Sequence, residues 1–257
     1  MRLRVILAAL LALAAVGTAQ AEKMTVAIST PEIQINSNFT GTNVTIFGVI
    51  ERDAGTIARN APYEVATLVL GPPETVVARR KDRFLGIWLN GASETIVSPP
   101  IFYSLATTPG LGAPQLAAPA FRNLELGFEN IAFTYADRLE TNDPGASEFR
   151  EAFLRLKGES NLYAENLGGV SFIGDSVFRA TVRIPANVPV GRYRVLVYLF
   201  AGEALRAQFE ESIKVSKIGF EQYMFEAAHS RAALYGLGCV ALALFTGWIA
   251  GVVFRRD

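Results

Sequence analysis

The chain has 257 residues, 24 of them Lys or Arg and 24 Asp or Glu, for a formal net charge of zero at pH 7. That balance argues against a nucleic-acid partner, whose phosphates select a basic stripe, and a single histidine, His229, excludes a His-rich metal site. The single cysteine, Cys239, lies inside an apolar run, so any exported region must rely on its hydrophobic core rather than on disulfides.

Met1 to Ala21 reads as a secretory signal peptide. Arg2 and Arg4 form its basic start, Val5 to Val16 is its apolar core, and Ala19-Gln20-Ala21 is a small-x-small cleavage site. The apolar core is too short to span a bilayer as an anchor. The region that follows, 22–216, is about 195 residues, enough for one large or two small domains.

This region reads mainly as β-structure. Met24 to Ile35 alternates and is interrupted at Pro31, the pattern of an edge strand. Asn43 to Ile50 puts Val44, Ile46, Gly48 and Ile50 on one face. Tyr63 to Leu70 is a strand closed by Gly71-Pro72-Pro73. Glu74 to Ala78 and Arg83 to Leu89 read as a hairpin with Arg79-Arg80-Lys81-Asp82 at its tip and Trp88 as a core aromatic. Asn90 to Ala120 reads as a long connection, and Phe121 to Phe133 fits helix or strand.

Pro144 to Lys157 is the best helix of the region. Asp143 suits its cap, Pro144 its first turn and Gly158 its end, and Phe149, Phe153 and Leu156 share a face. Glu151 and Arg155 are spaced for an outward ion pair. Strands resume at Val170 to Ile173, Val177 to Ile184, Arg192 to Phe200 and Leu205 to Val215. In the third of these Tyr193, Val195, Val197 and Leu199 share a face. A Pro/Gly corner followed by Gly-x-Tyr is common in immunoglobulin-like and fibronectin-III-like sandwiches, which makes Tyr193 a corner residue. The expected fold is one such β-sandwich with a helical insertion near 144–157, followed by a single C-terminal transmembrane helix.

Lys217 to Arg231 is expected to be a juxtamembrane helix. Ala232 to Phe254 carries no charge and no proline. As a helix it is about 34 Å long, against a hydrocarbon core of about 30 Å. Arg255 and Arg256 then open a short tail, 255–257, and the positive-inside bias puts that tail in the cytoplasm. Cys239, Ala243, Gly247 and Gly251 recur every fourth residue, and Gly247-x-x-x-Gly251 is a close-packing motif for a second transmembrane helix. Glycine and alanine are also simply frequent in spans.

Chemical motifs are few. Gly236-Leu237-Gly238-Cys239-Val240-Ala241 matches a dinucleotide pattern, but inside the span and without a preceding strand. Gly174-Asp175-Ser176 lacks the G-x-S-x-G context of a hydrolase serine and reads as a hairpin turn. A carboxylate-based hydrolase would need two acidic residues converging in a cleft. Asn38-Phe39-Thr40 and Asn43-Val44-Thr45 are glycosylation sequons, relevant only in a eukaryotic secretory pathway. Arg79, Arg80, Lys81 and Arg83 are the one cluster with the chemistry to bind a small anion or lipid phosphate, against the alternative of a solvated turn.

Four stretches carry a resemblance: IWLN at Ile87 to Asn90, IFYSLA at Ile101 to Ala106, IPANVPVGRYRVLVYLF at Ile184 to Phe200, and YGLGCVALALFTGWIAGVVFRR at the end. Together they make the chain similar to the putative alphaproteobacterial transmembrane protein family. The resemblance implies a bacterial inner-membrane protein with a periplasmic N-terminal domain and a cytoplasmic C-terminus. It hints at an association with sulfite-exporter-type permeases and supplies no catalytic residues. The expectation is a non-enzymatic protein without a cofactor, acting as accessory or assembly partner of another membrane protein. The alternative is a tethered domain that binds or senses a small anion.

Overall fold

The computed structural model describes residues 22–51, 62–136, 144–219, 224 and 228–253. The expected signal peptide, most of the loop after Glu51, the Asp143 cap, much of the juxtamembrane segment and Arg255-Arg256 lie outside those residues.

Thirteen strands follow one another among the described residues: β1 Lys23–Ile28, β2 Glu32–Ile35, β3 Gly41–Glu51, β4 Tyr63–Leu70, β5 Val76–Phe84, β6 Ile87–Val97, β7 Tyr103–Thr107, β8 Thr134–Tyr135, β9 Tyr163–Leu167, β10 Val170–Phe172, β11 Val177–Pro185, β12 Gly191–Ala201 and β13 Ala204–Lys217. The helices are α1 Ala113–Leu116, α2 Pro119–Arg122, α3 Pro144–Glu159 and α4 Ala232–Val253, with a 3₁₀ turn at Phe128–Asn130. The strands form a four-stranded sheet in the order β1-β3-β11-β10, a six-stranded sheet in the order β2-β13-β12-β4-β7-β9, and a three-stranded sheet β5-β6-β8.

The architecture is mainly β, as expected, but it has three layers rather than two. Alternation in β3 and β11 buries Val44, Ile46 and Ile50 with Phe178, Ala180, Val182 and Ile184. These residues meet Val65, Val69, Val195, Val197, Leu199, Ile213 and Val215 of the six-stranded sheet in a first core. The opposite face of that sheet presents Ala66, Leu68, Tyr103, Leu105, Leu196, Tyr198 and Phe200 to a second core, closed by α1, α2, the 3₁₀ turn, α3 and Ile96 of β6. Strands β4 and β12 are therefore covered on both faces, which is why YEVATLVL and RVLVYLF read as nearly continuous apolar runs. Each such Leu, Ile or Phe, fully buried, is worth about 1.5–3 kcal/mol relative to exposure.

Two pairings distinguish this sheet from an all-antiparallel immunoglobulin-like sandwich. Strand β2 runs parallel to β13 at one edge and β9 parallel to β7 at the other. The chain crosses between sheets at Ser29–Pro31, so Pro31 separates two edge strands of different sheets rather than bulging one strand. The corner expected at Tyr193 is present: the Tyr193 hydroxyl donates to the Pro189 carbonyl at 2.6 Å.

Four local expectations are corrected. The β5–β6 hairpin does not turn at Arg79–Asp82. It turns at Leu85-Gly86, whose φ values of 49° and 85° suit a two-residue type I′ turn between Phe84 and Ile87. Trp88 is not a core residue but 65% exposed. The supposed connection 90–120 contains the rest of β6 and the buried strand β7, where Tyr103 is fully enclosed. In α3, Phe149 and Phe153 are buried but Leu156 is exposed, Arg155 meets Glu159 at 3.9 Å, and the helix continues through Gly158.

Candidate functional site

Helix α4 holds the stripe Cys239, Ala243, Gly247 and Gly251. It contains a 21-residue run, Ala232–Val252, long and apolar enough to cross a membrane, and none of its most apolar stretch is covered by the rest of the protein. Its hydroxyl at Thr246 is satisfied within the helix, by the carbonyls of Leu242 at 2.9 Å and Ala243 at 3.0 Å, as hydrocarbon demands. A Cβ built at Gly236, Gly238, Gly247 or Gly251 would meet nothing within 4 Å. The dinucleotide-like motif at Gly236–Ala241 is helical throughout, so it forms no phosphate-cradling loop. Upstream, Lys217 is still in β13, Ala228–Ser230 are helical and Arg231 is a bend before α4.

The basic cluster lies along β5 rather than at a turn. Arg80 donates to Asp82 at 3.1 Å and to Glu148 of α3 at 3.2 Å. The Asp82 carboxylate first, then Glu148, raises the Arg80 guanidinium above its ordinary value. A register shift between Arg79 and Lys81 breaks the strand's alternation, and Arg83 lies opposite Trp88. The structure thus spreads the four cations along the hairpin and commits Arg80 to a clamp on α3. Between β5 and α3 runs a groove of about 630 Å³, bordered by Val77, Arg79, Lys81, Ala152, Arg155 and Leu156, with Glu148 and Glu151 also on its wall.

A polar network absent from the sequence reading sits over the second core. The buried Tyr103 hydroxyl donates to the Glu125 carbonyl and accepts from the Gly127 N–H, both at 2.8 Å. Arg150 of α3 donates to the carbonyls of Phe128 at 2.7 Å, Ile131 at 2.9 Å and Glu129 at 3.0 Å, and stacks over the Phe133 ring. Glu165 accepts from the Phe128 N–H. Burial raises the Tyr103 phenol far above its ordinary value. Desolvation also raises the Glu165 carboxyl, the Phe128 N–H opposing and Glu129 reinforcing the shift. These perturbed groups hold backbone. A cleft of about 530 Å³ opens beside Arg150, Asn130 and Glu129. No local sequence signal marks the network, because its members come from four separate segments: Tyr103, residues 125–133, Arg150 and Glu165.

Gly174-Asp175-Ser176 is a bend between β10 and β11, with Gly174 at φ 89°, and the Ser176 carbonyl accepts from the Ile50 N–H at 2.8 Å. Among the described residues no three His, Cys, Asp or Glu side chains group as metal ligands.

A comparison with curated proteins finds no match. A family model described as "Putative transmembrane protein (Alph_Pro_TM)" matches residues 23–256, covering the β-domain and the span together. A helix long and apolar enough to cross a membrane fits that description, and the chain belongs to this transmembrane protein family.

Proposed function

We propose that this protein is a non-enzymatic accessory or assembly subunit of another membrane protein. On this reading the β-domain stands on the periplasmic face of a bacterial inner membrane and the C-terminus in the cytoplasm. The observation that carries the reading is the open small-residue face of α4, where Gly247 and Gly251 leave room for a second helix backbone to approach. The basic, apolar, small-x-small start at Met1–Ala21 and the Arg255-Arg256 end support the orientation. The engagement of Tyr103 with the Glu125 carbonyl and of Glu165 with the Phe128 N–H supports a scaffolding rather than a catalytic role for these two perturbed groups. The resemblance directs the search for a partner to permeases for sulfur oxyanions.

Co-purification from native membranes tests the proposal. The Gly247→Leu/Gly251→Leu variant is expected to stay in the membrane and lose its partner. An unchanged partner set in that variant removes the helix-packing reading. A second reading, a small-anion binding or sensing domain, is favoured by the placement of Arg79, Lys81 and Arg155 on one groove. Calorimetry of the full chain in detergent with sulfite, sulfate and phosphate decides it, and the absence of heat with all three ends it.

A further inference from the structure

Among the described residues of the β-domain, the β5–β6 hairpin is the one place where large apolar side chains are massed in the open. Phe84, Leu85, Ile87, Trp88 and Leu89 are 48–86% exposed and contiguous around the Leu85-Gly86 turn. Every residue from Arg79 to Ser93 is exposed, and none of them belongs to either core. Only the root is fixed, through partly buried Val76 and Ala78, buried Ile96 and the Arg80–Glu148 clamp. A free two-stranded ribbon is marginal in water, and an apolar tip on one is a liability unless something covers it.

We propose that this hairpin docks on an anionic phospholipid bilayer, its tip sinking into the interface while Arg79, Lys81 and Arg83 meet the headgroup phosphates. Three features favour a bilayer over other occupants. The charge order fits: Arg80 is matched by Asp82 and Glu148, which leaves three further cations immediately behind five apolar side chains. Trp88 lies opposite Arg83 on the same face, an aromatic-cation pairing suited to the headgroup level. Tethering through α4 also keeps the domain close to a bilayer. Strand β13 ends at Lys217 and α4 begins at Ala232, so residues 218–231 span at most about 50 Å even when fully extended. The arm from Val76 to Leu85 is itself about 30 Å long. A second copy of the chain fits less well, because tip-to-tip contact would bring like charges together.

The test uses the full chain carrying Trp248→Phe, which leaves Trp88 as the only tryptophan, reconstituted in vesicles. Phosphatidylcholine vesicles are compared with vesicles containing about a third phosphatidylglycerol, enough to set a substantial negative surface potential. Trp88 emission is expected to shift to the blue in the anionic vesicles and to be quenched by lipids brominated near the headgroup. Each neutralised cation near the surface lowers the docked-to-free ratio about five-fold, so Lys81→Gln/Arg83→Gln is expected to lower it about 30-fold. Phe84→Ser/Leu85→Ser is expected to abolish the shift with an unchanged melting curve, which separates docking from folding. Water-like, unquenched Trp88 emission in both vesicle types overturns the proposal. So does emission that is shielded in native membranes but water-like in the anionic vesicles, which would assign the tip to a protein partner.

Discussion

Two side chains show how single groups set the stability of this domain. Tyr193 spans the corner before β12, its ring edge-to-face with Phe102 and its hydroxyl on the Pro189 carbonyl. Tyr193→Phe keeps the ring and removes that bond, leaving a carbonyl without its donor. The expected loss is about 1–2 kcal/mol in denaturant unfolding, the range for such a bond. Glu165 is exposed as a residue, yet its carboxyl end is desolvated against the Phe128 N–H, which places its native pKa above the ordinary value. The native state then holds its proton to higher pH than the unfolded chain does. The sign follows: this group costs stability at neutral pH, and the cost is relieved as pH falls into the carboxylate range. Glu165→Gln, which keeps an acceptor for Phe128, is expected to be the more stable form at pH 7. The difference should close on acidification, read from unfolding curves of both proteins at several pH values.

At the scale of elements, the legible parts were those in which one face is buried and one is wet. Strands β3 and β11 alternate, so their inward residues could be named in advance, and Tyr193 through Leu199 followed the same rule. The second face of β12 was hidden, because Leu196, Tyr198 and Phe200 point into a core that local periodicity does not announce. Strand β7 was missed since Pro99, Pro100 and a Gly/Pro-rich sequel make a short buried strand look like a connection. The β5–β6 hairpin failed differently. Arg79–Asp82 has the polarity of a turn, but the two consecutive positive φ values fall at Leu85-Gly86, and FLGIWL looks like core in any composition-based reading. The helix α4, by contrast, was legible, since an apolar run of this length without charge or proline shows itself through composition alone. Contact between sheet neighbours also fixes Gly48, which lies opposite Phe178: a Cβ there would sit 2.0 Å from the ring of that fully buried residue. Gly48→Ala is expected to cost about 1–3 kcal/mol, the usual range for overpacking, in thermal or denaturant melts.

For the whole molecule, the six-stranded sheet is the common wall of both cores. Residues 66, 68, 196 and 198 serve one core while 65, 69, 195 and 197 serve the other, so neither core can lose order and leave the sheet intact. Unfolding of the β-domain is therefore expected as a single cooperative transition. Near-ultraviolet circular dichroism and far-ultraviolet signal should coincide through a urea titration, and two separated transitions would show that the cores are independent. The α4 span, with hydrocarbon as its solvent, is expected to persist as helix through that transition.

The position of β12 has a consequence for how the protein is made. It lies in the interior of the six-stranded sheet, between β13 and β4, yet it is the penultimate of the described strands to leave the ribosome. Until it arrives, β4 and β7 expose a long apolar pairing edge, and β2 has no partner at all because its neighbour β13 comes later still. Closure of the sheet thus waits until the chain has been synthesised almost to its membrane anchor. During that wait the nascent domain carries an unpaired apolar edge, the kind of surface through which incomplete sheets self-associate.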